Sequence, residues 1–548
     1  MTLGGTLSGN GSFEGAHVRF GGTASRWVMA AKDTGFTSKI DFSGVTDAEL
    51  LKGLKAVDIA YTGDTSEMLV LEIASAGDLT QEEADEIVLT VTDAEGAPLA
   101  ADAHLAVSGG KFVLRIGDPR RAATAVWTGK AGDNDIANWA NWACTNRMDE
   151  GISEGLPSFD TMVRLGVDAD WRTLGEVPLQ SIDLCGRNIF ISTLAGLETV
   201  TDSTEGTGGE VHLAVPKDET ITNAGVSFTG SLTFVADGEG TYVPNFAAGL
   251  TYSGKTVVSN GTMKAVYGQY AQTESIEIGP DGVFDIVGAD KRNTAYFDKA
   301  YVLNGGTLAN QAEPAGWGYG CLGNVRLTED SFVDAAQSIG FTAGGYGPTT
   351  LDLAGHELSV KFGEDFRVFW LCNTTVTAGK LTVEGNGNLV IYKEKPVYAD
   401  AADFDLACGL AIHNDATVSN LTLRGTAATS VTSGKSLTVK GTFTPIGNAN
   451  VTGVKMAGDS TLDLSQATFS GPVSGLAFAS DVRVTVDLGS RRFADADKDE
   501  TGWIKIVSWT VQPTGVKFSL KSAAGGYVTQ SREDGLYLKS SSLLILIY

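Results

Sequence analysis

The stretch Thr349-Thr-Leu-Asp-Leu-Ala-Gly-His-Glu-Leu-Ser-Val360 decides the fold of this chain. It contains two short segments in which apolar and polar residues alternate, joined by a turn at Gly355. Such alternation predicts β-strands with one buried and one wet face. The phrase returns as Thr375-Val-Thr-Ala-Gly-Lys-Leu-Thr-Val383 and Ser430-Val-Thr-Ser-Gly-Lys-Ser-Leu-Thr-Val-Lys-Gly441, and its first half returns as Ser460-Thr-Leu-Asp-Leu464. Recurrence at multiples of roughly 20–30 residues is typical of stacked coils that share one core.

Short alternating segments separated by Gly, Asn or Asp continue from about residue 125 onward. Strands this short suit either a β-sandwich or a β-helix. The repetition favours the β-helix, because a coil cannot bury its apolar face without a neighbouring coil. We therefore predict an all-β protein, a right-handed parallel β-helix over residues 119–490. Leu353, Leu358 and Leu437 should face its interior.

The two ends of the chain differ from this pattern. Residues 1–20 read as a partial coil, and residues 21–118 as a small β-rich module with two short helices. Thr46-Asp-Ala-Glu49 and Thr80-Gln-Glu-Glu83 each place a Thr three residues before a Glu, which is the capping-box arrangement at a helix start. Residues 491–548 alternate like a β-rich cap over the last coil.

Composition excludes several functions for this chain of 548 residues. The formal net charge is −26, and such a field repels nucleic acids and anionic membranes, whose binding depends on Lys and Arg. Low charged content (19%) with 43% hydrophobic residues argues against wholesale disorder. No apolar stretch has the length of a membrane helix. The N-terminus lacks the features of a signal peptide, so we expect a fragment from which the export signal is absent.

Five cysteines are spread widely, without zinc spacing. We interpret most of them as buried thiols, although Cys144 and Cys185 would be able to bridge in an exported protein.

A longer element opens the repeats: Val126-Trp-Thr-Gly-Lys-Ala-Gly-Asp-Asn-Asp-Ile-Ala-Asn-Trp-Ala-Asn-Trp142. It resembles the Trp-x-Gly … Asn-Trp element that opens repeat arrays in bacterial surface proteins, and the later phrases resemble the passenger repeats of autotransporters. The resemblance covers about 125–490 and implies a secreted or cell-surface β-helix, of the pectin-lyase-like kind, that acts as an adhesin or scaffold. Its partner would be a host-surface component, an extracellular-matrix component or a polysaccharide.

The Trp residues of this element allow two interpretations. Trp127, Trp139 and Trp142 are able to stack on sugar rings, or to plug the first coil. We favour packing, with Trp127 and Trp142 buried, and with Asn138 and Asn141 satisfying backbone groups of the turn.

One segment predicts a weak calcium site. Asp495, Asp497 and Asp499 are spaced two apart, as at the start of a calcium loop. Glu500 stands where an EF-hand has Gly, and Ile506 where it has Glu, so a solvated turn is the competing interpretation. No other cofactor is predicted.

Asp285, Asp352 and Asp463 lie between apolar residues within strand phrases. They should point away from the core, where stacking would align them as a carboxylate ladder. Pectate-lyase-like β-helices resemble this, with acidic residues that bind Ca²⁺ and a basic residue that abstracts a proton. A plain wet face is the alternative.

The sequence contains no HExxH motif, and its five His lie singly. We therefore predict no catalytic residues and a non-catalytic adhesive or structural role. The alternative is a β-helix that binds or degrades polysaccharide, as a lyase or glycoside hydrolase. A groove along one sheet with carboxylates, basic groups and exposed aromatics would favour this alternative, whereas a flat or ridged wet surface would favour the adhesin.

Overall fold

The structure is a computed structural model. It describes residues 1–540 apart from 15–16, 64, 66–68, 100–101, 118–121, 123, 146–150, 153–154, 158–160, 224, 245–250, 266–272, 287–294, 298, 312–319, 344–345, 393–394, 425–428, 448, 492, 494–496 and 522–525. The chain forms two compact units, Met1–Val167 with Leu179–Ser181, and Asp168–Pro178 with Ile182–Tyr548. No helix in the described part of the chain is long and apolar enough to span a membrane.

The described residues of the segment 1–167 form short strands, one short α-helix and one 3₁₀ turn. In chain order they are β1 (Thr2–Leu3), β2 (Thr6–Leu7), β3 (Gly11–Glu14), β4 (Arg19–Phe20), β5 (Arg26–Lys32), β6 (Gly35–Ser38), β7 (Ile40–Gly44), β8 (Ala56–Tyr61), β9 (Leu69–Ser75), α1 (Gln81–Asp85), β10 (Val88–Thr92), β11 (Asp102–Ser108), β12 (Lys111–Gly117), β13 (Thr124–Trp127), a 3₁₀ turn (Trp139–Asn141), β14 (Trp142–Thr145), β15 (Gly151–Ile152) and β16 (Met162–Leu165).

The first part of this unit packs around an aromatic centre. Strands β2, β5, β8 and β10 pair in parallel, and β9, β12 and β11 form an antiparallel sheet. The rings of Phe20, Trp27 and Phe42 contact one another with centroids 5.0–5.7 Å apart. Their core extends from Leu3 to Ile116, so strands of residues 1–20 pack with those that follow.

One of the two predicted helices is present in this module. Thr80 caps α1 by accepting the Glu83 amide hydrogen, while Glu83 accepts from the Thr80 amide, which completes the capping box. The prediction of a helix after Thr46 was wrong, since residues 48–53 form turns. There the Asp47 carboxylate accepts the Glu49 amide hydrogen and also pairs with Arg19, which holds the chain in a turn.

The Trp-containing element is an antiparallel hairpin. β13 pairs antiparallel with β14 and parallel with β16, so the first strands of the segment predicted as parallel repeats depart from that prediction. Side chains hold the connection between β13 and β14. The side-chain oxygen of Asn141 accepts the backbone amide hydrogen of Ala131, and its side-chain nitrogen donates to the Asp133 carboxylate at 2.6 Å. Asn138 accepts the Ala140 amide hydrogen. The expected backbone-satisfying role of both Asn residues is confirmed.

The described residues between 168 and 540 form mainly strands and turns. In chain order the strands are β17 (Ala169–Asp170), β18 (Ser181–Asp183), β19 (Ile189–Ile191), β20 (Thr199–Asp202), β21 (Glu210–Leu213), β22 (Thr220–Thr222), β23 (Ser227–Gly230), β24 (Thr233–Val243), β25 (Thr251–Tyr252), β26 (Thr256–Ala265), β27 (Ser275–Ile286), β28 (Ala295–Phe297), β29 (Ala300–Leu303), β30 (Thr307–Asn310), β31 (Gly320–Leu322), β32 (Val325–Leu327), β33 (Ser331–Ala335), β34 (Ile339–Phe341), β35 (Thr349–Asp352), β36 (Glu357–Phe362), β37 (Arg367–Leu371), β38 (Thr374–Val376), β39 (Gly379–Ile391), β40 (Val397–Ile412), β41 (Ala416–Leu423), β42 (Thr429–Val431), β43 (Leu437–Val439), β44 (Thr442–Pro445), β45 (Val454–Met456), β46 (Asp459–Asp463), β47 (Val473–Ser474), β48 (Ala477–Phe478), β49 (Arg483–Asp487), β50 (Ile504–Ser508), β51 (Lys517–Lys521), β52 (Tyr527–Arg532) and β53 (Gly535–Ser540).

These strands build the predicted parallel β-solenoid, of about 18 turns. Between β28 and β37 each strand pairs in parallel with the strand three positions later, so that one turn contributes one strand to each of three faces. One face is the column β30, β33, β36 and the first half of β39. We call this column, together with the second halves of β24, β26 and β27 that precede it, the groove face.

The core lies between the faces and is made of stacked levels of apolar side chains. On the groove face, Leu308, Val333, Val360 and Val383 follow one another in register and are all buried. Burying such side chains stabilises the fold by roughly 1.5–3 kcal/mol each. Leu353, Leu358 and Leu437 are also fully buried, so the prediction of their inward orientation is confirmed.

Strands of the last segment pair in two ways. β51 continues the solenoid by pairing parallel with β49. β50, β53 and β52 form an antiparallel sheet, to which β47 adds a parallel strand.

Candidate ligand-binding groove

A groove of about 990 Å³ runs along the groove face. Two outward rows of side chains line it, because alternate residues of each strand point away from the core. One, the hydroxyl row, follows the register through Thr241, Thr262, Val283, Thr307, Phe332, Ser359 and Thr382. The other, the charged row, consists of Lys264, Asp285, Ala309, Asp334, Lys361 and Glu384. Six strand-to-strand steps make the hydroxyl row roughly 29 Å long.

Asp285 is the most unusual residue of the charged row, because only 3% of its surface is exposed. One carboxyl oxygen accepts the Gln311 amide hydrogen at 2.9 Å. Burial raises the pKa of the Asp285 carboxyl group, and the charge of Asp334 raises it as well. The hydrogen bond from Gln311 and the charge of Lys264 lower this pKa, but the net shift is upward. The prediction that Asp285 lies on a wet face was therefore wrong. The groove holds a carboxyl group that binds a proton more readily than an exposed one does.

The row carries charges of both signs. Lys264 is in register with Asp285, and Lys361 is in register with Asp334 on one side and Glu384 on the other. Asp334, Lys361 and Glu384 are exposed to solvent. The row thus contains three carboxyl groups and two ammonium groups, and each ammonium group has an acidic neighbour.

Phe332 supplies the aromatic surface of the groove. It points outward from β33, between Thr307 and Ser359 in register, with 50% of its surface exposed. An exposed ring flanked by hydroxyl groups is suited to stacking on a planar apolar surface of a ligand.

No signal in the sequence selects these residues as one group. The alternation in Ser331-Phe-Val-Asp-Ala335 predicts that Phe332 and Asp334 point outward. Their alignment with Asp285 and Lys361 depends on pairing between strands about 24–27 residues apart, where turns of unequal length set the register.

The other two carboxylates predicted to form a ladder lie elsewhere. Asp352 is partly exposed on β35, in register with Arg326, and accepts the Thr377 hydroxyl hydrogen at 2.6 Å. Asp463 is in register with Asp487. Lys521 follows in the same row, and its ammonium group lies 2.6 Å from Asp487. A short carboxylate ladder is present at Asp463 and Asp487, closed by a lysine.

The predicted calcium segment is only partly described. Asp495 lies outside the described residues, whereas Asp497 and Asp499 are exposed. Asp499 accepts hydrogen bonds from the Trp503 amide and from the amide and hydroxyl of Thr501, which together lower the pKa of its carboxyl group to about 2. Within the described residues, no group of three His, Cys, Asp or Glu side chains is placed to hold a metal ion. The calcium site stays a prediction.

The Trp residues do not line this groove. Trp127 and Trp142 are buried, as predicted, whereas Trp139 is 47% exposed. Cys144 and Cys185 are not joined in a disulfide. Burial raises the pKa of the Cys144 thiol to about 11 and that of Cys408 to about 12, so neither is a ready nucleophile.

Comparisons of the chain with protein-family models, with curated proteins and with solved structures found no significant match.

Proposed function

We propose that this chain is a non-catalytic, extracellular or cell-surface right-handed β-helix that binds an extended polysaccharide in the groove. The observation that carries the proposal is the groove itself. It combines a solvent-exposed ring, a row of hydroxyl groups and charged groups along several turns of one sheet face. This groove with its exposed ring differs from the flat or ridged wet surface that we expect of a purely structural adhesin.

The form of the groove fits a polymer better than a small metabolite. Small-molecule sites are usually enclosed and mainly apolar, whereas this groove continues across seven strands with polar groups on each side. A polysaccharide presents hydroxyl groups and apolar ring faces at regular intervals, which match a repeated surface. The autotransporter-like resemblance and the large negative charge are consistent with display outside the cell, where adhesion to glycans is useful.

Right-handedness is part of the proposal. Connections between parallel strands of one sheet are right-handed in about 98% of cases, because of the twist of the strands. The parallel pairing of successive turns therefore favours a right-handed helix.

The proposal is tested by titrating soluble oligosaccharides of several sugar types into the full chain and its Phe332→Ala variant. Loss of ring stacking should weaken binding by roughly 0.5–1.5 kcal/mol, a factor of about 2–13. Phe366→Ala is the matched control, because Phe366 is 53% exposed but does not line the groove. Equal weakening by both substitutions, or no binding of any glycan, would contradict the proposal.

Glycoside hydrolysis is a second candidate, favoured by one observation. Asp285 and Asp334 lie two strands apart in one row, which places their backbones about 9.6 Å apart. Inverting glycosidases hold the two carboxyl groups themselves about 6.5–9.5 Å apart, a separation that side chains on backbones at this spacing can adopt. In this role Asp285, with its raised pKa, would protonate the leaving oxygen, and Asp334 would activate water. Release of reducing ends by the chain, but not by its Asp285→Asn variant, would support hydrolysis.

A further inference from the structure

We propose that the groove selects glycans that carry protonated amino groups, such as polymers of glucosamine, over polyuronates. This inference rests on the proposed glycan-binding function and assigns the chemical class of the ligand.

The first argument is the balance of charge in the groove. The charged row has three carboxyl groups and only two ammonium groups. Lys264 is beside Asp285, and Lys361 lies between Asp334 and Glu384. A uronate would have to compete with these carboxylates for each ammonium group, and its own charge would be repelled by them. An amino sugar would share Asp334 and Glu384 with Lys361, but there it meets two exposed carboxylates for one ammonium group.

The second argument is the burial of Asp285. Its charged form is disfavoured by loss of water, and only one of its oxygens receives a described hydrogen bond, from Gln311. A ligand cation nearby compensates for that loss, whereas a ligand anion makes it worse. The deepest carboxyl group of the groove therefore also favours a cationic ligand.

The third argument is the electrostatic field produced by the net charge of the whole chain. A formal charge of −26 attracts cationic polymers and repels anionic ones before contact. This term depends on salt, because exposed charges are screened over about 8–10 Å at physiological ionic strength.

The test compares three oligosaccharides of equal length: glucosamine, N-acetylglucosamine and galacturonic acid oligomers. Each is titrated into the full chain near pH 5, below the α-amino range of about 7.7–8.0 and above the ordinary Asp and Glu values of about 3.9 and 4.3. We expect the glucosamine oligomer to bind about tenfold more tightly than its neutral N-acetylated counterpart, the factor for about 1.4 kcal/mol from charge pairing. We expect no measurable binding of the galacturonic acid oligomer, and a smaller amino preference at high salt.

A double variant distinguishes charge pairing within the groove from attraction by the net charge of the whole chain. Asp334→Asn with Glu384→Gln should abolish most of the amino preference while neutral binding persists. Asp415→Asn is the control, because Asp415 is an exposed carboxylate outside the groove, paired with Lys435. Tighter binding of the uronate, or an amino preference that survives the double variant, would overturn the inference but leave glycan binding intact. Failure of all three oligosaccharides to bind would remove the proposed function as well.

Discussion

Trp127 and Trp142 lie directly opposite each other across an antiparallel hairpin, with ring centroids 5.0 Å apart and ring planes at 72°. Both rings are buried, and the Trp142 indole donates a hydrogen bond to the Ile136 carbonyl oxygen at 2.8 Å. The pair joins the hairpin to the turn that precedes β14. Its edge-to-face contact stabilises the hairpin beyond the burial of apolar area alone.

We expect Trp142→Ala to destabilise the first unit by roughly 3–5 kcal/mol, because it removes a large buried ring and its hydrogen bond. Trp139→Ala is the matched control, since that ring is half exposed, and should change stability by no more than about 0.5 kcal/mol. Chemical denaturation followed by circular dichroism measures both. Similar losses in the two variants would show that the hairpin does not depend on the buried pair.

The in/out alternation of the solenoid is tested at adjacent residues. Leu353→Asp places a charge in the core without a partner and should cost several kcal/mol or open the turn locally. Asp352→Asn should stay within about 0.5 kcal/mol, because Asp352 is partly exposed and Asn still accepts the Thr377 hydroxyl hydrogen. Thermal unfolding of the two variants checks the prediction. A large loss in Asp352→Asn with none in Leu353→Asp would reverse the assignment.

The repeated phrases were sufficient to predict the parallel solenoid. Alternation fixes which residues face inward within a strand, and repetition requires the strands to stack, so the burial of Leu353 and Leu437 followed from local sequence. The capping box at Thr80 also acted locally and formed its helix. These features depend on residues that are neighbours in the sequence.

Features that depend on pairing between turns were not predictable in the same way. Asp285 has the alternation of a wet residue, yet it is buried beneath the groove, where the next turns bring Gln311 and Asp334 near it. After Thr46 the helix that the capping-box sequence predicts is absent. Asp47 instead forms an ion pair with Arg19, which is distant from it in the sequence. Contacts of this kind require the register of strands about 20–30 residues apart, which turn lengths determine.

Asp405 and Arg424 predict a specific sensitivity to acid. Although burial of Asp405 opposes ionisation, two Arg424 nitrogens at 2.6 and 2.8 Å, with Lys380 at 3.4 Å, hold the pKa of its carboxyl group below the ordinary value. A lowered pKa stabilises the fold above the unfolded-state pKa of about 3.9, and this contribution is lost as pH falls through the folded-state value. Arg424→Met should therefore cost about 1–3 kcal/mol at neutral pH and progressively less below about pH 4.

Denaturant unfolding at a series of pH values measures this difference. Lys440→Met is the control, because the ion pair of Lys440 with Asp400 is exposed on both sides and should contribute less than about 1 kcal/mol. A cost of Arg424→Met that does not change with pH would show that lost packing, and not the charge, is responsible.

Asp285 predicts the opposite pH dependence. Its folded-state pKa is raised, so its ionised form destabilises the fold at pH values above that pKa, and the penalty disappears below the unfolded-state value of about 3.9. Asp285→Asn keeps an acceptor for the Gln311 amide hydrogen and should stabilise the chain at neutral pH, on the order of 1 kcal/mol, with no gain in acid. Asp334→Asn, at an exposed position of the same row, should have almost no effect on stability at either pH value.

Unfolding curves at neutral and acidic pH measure both variants. A stabilised Asp285→Asn variant with weakened glycan binding would show that this carboxyl group destabilises the fold but contributes to binding. Destabilisation at neutral pH would instead show that the ionised carboxylate is well paired in the fold, and the ligand selectivity inferred from its burial would lose that support.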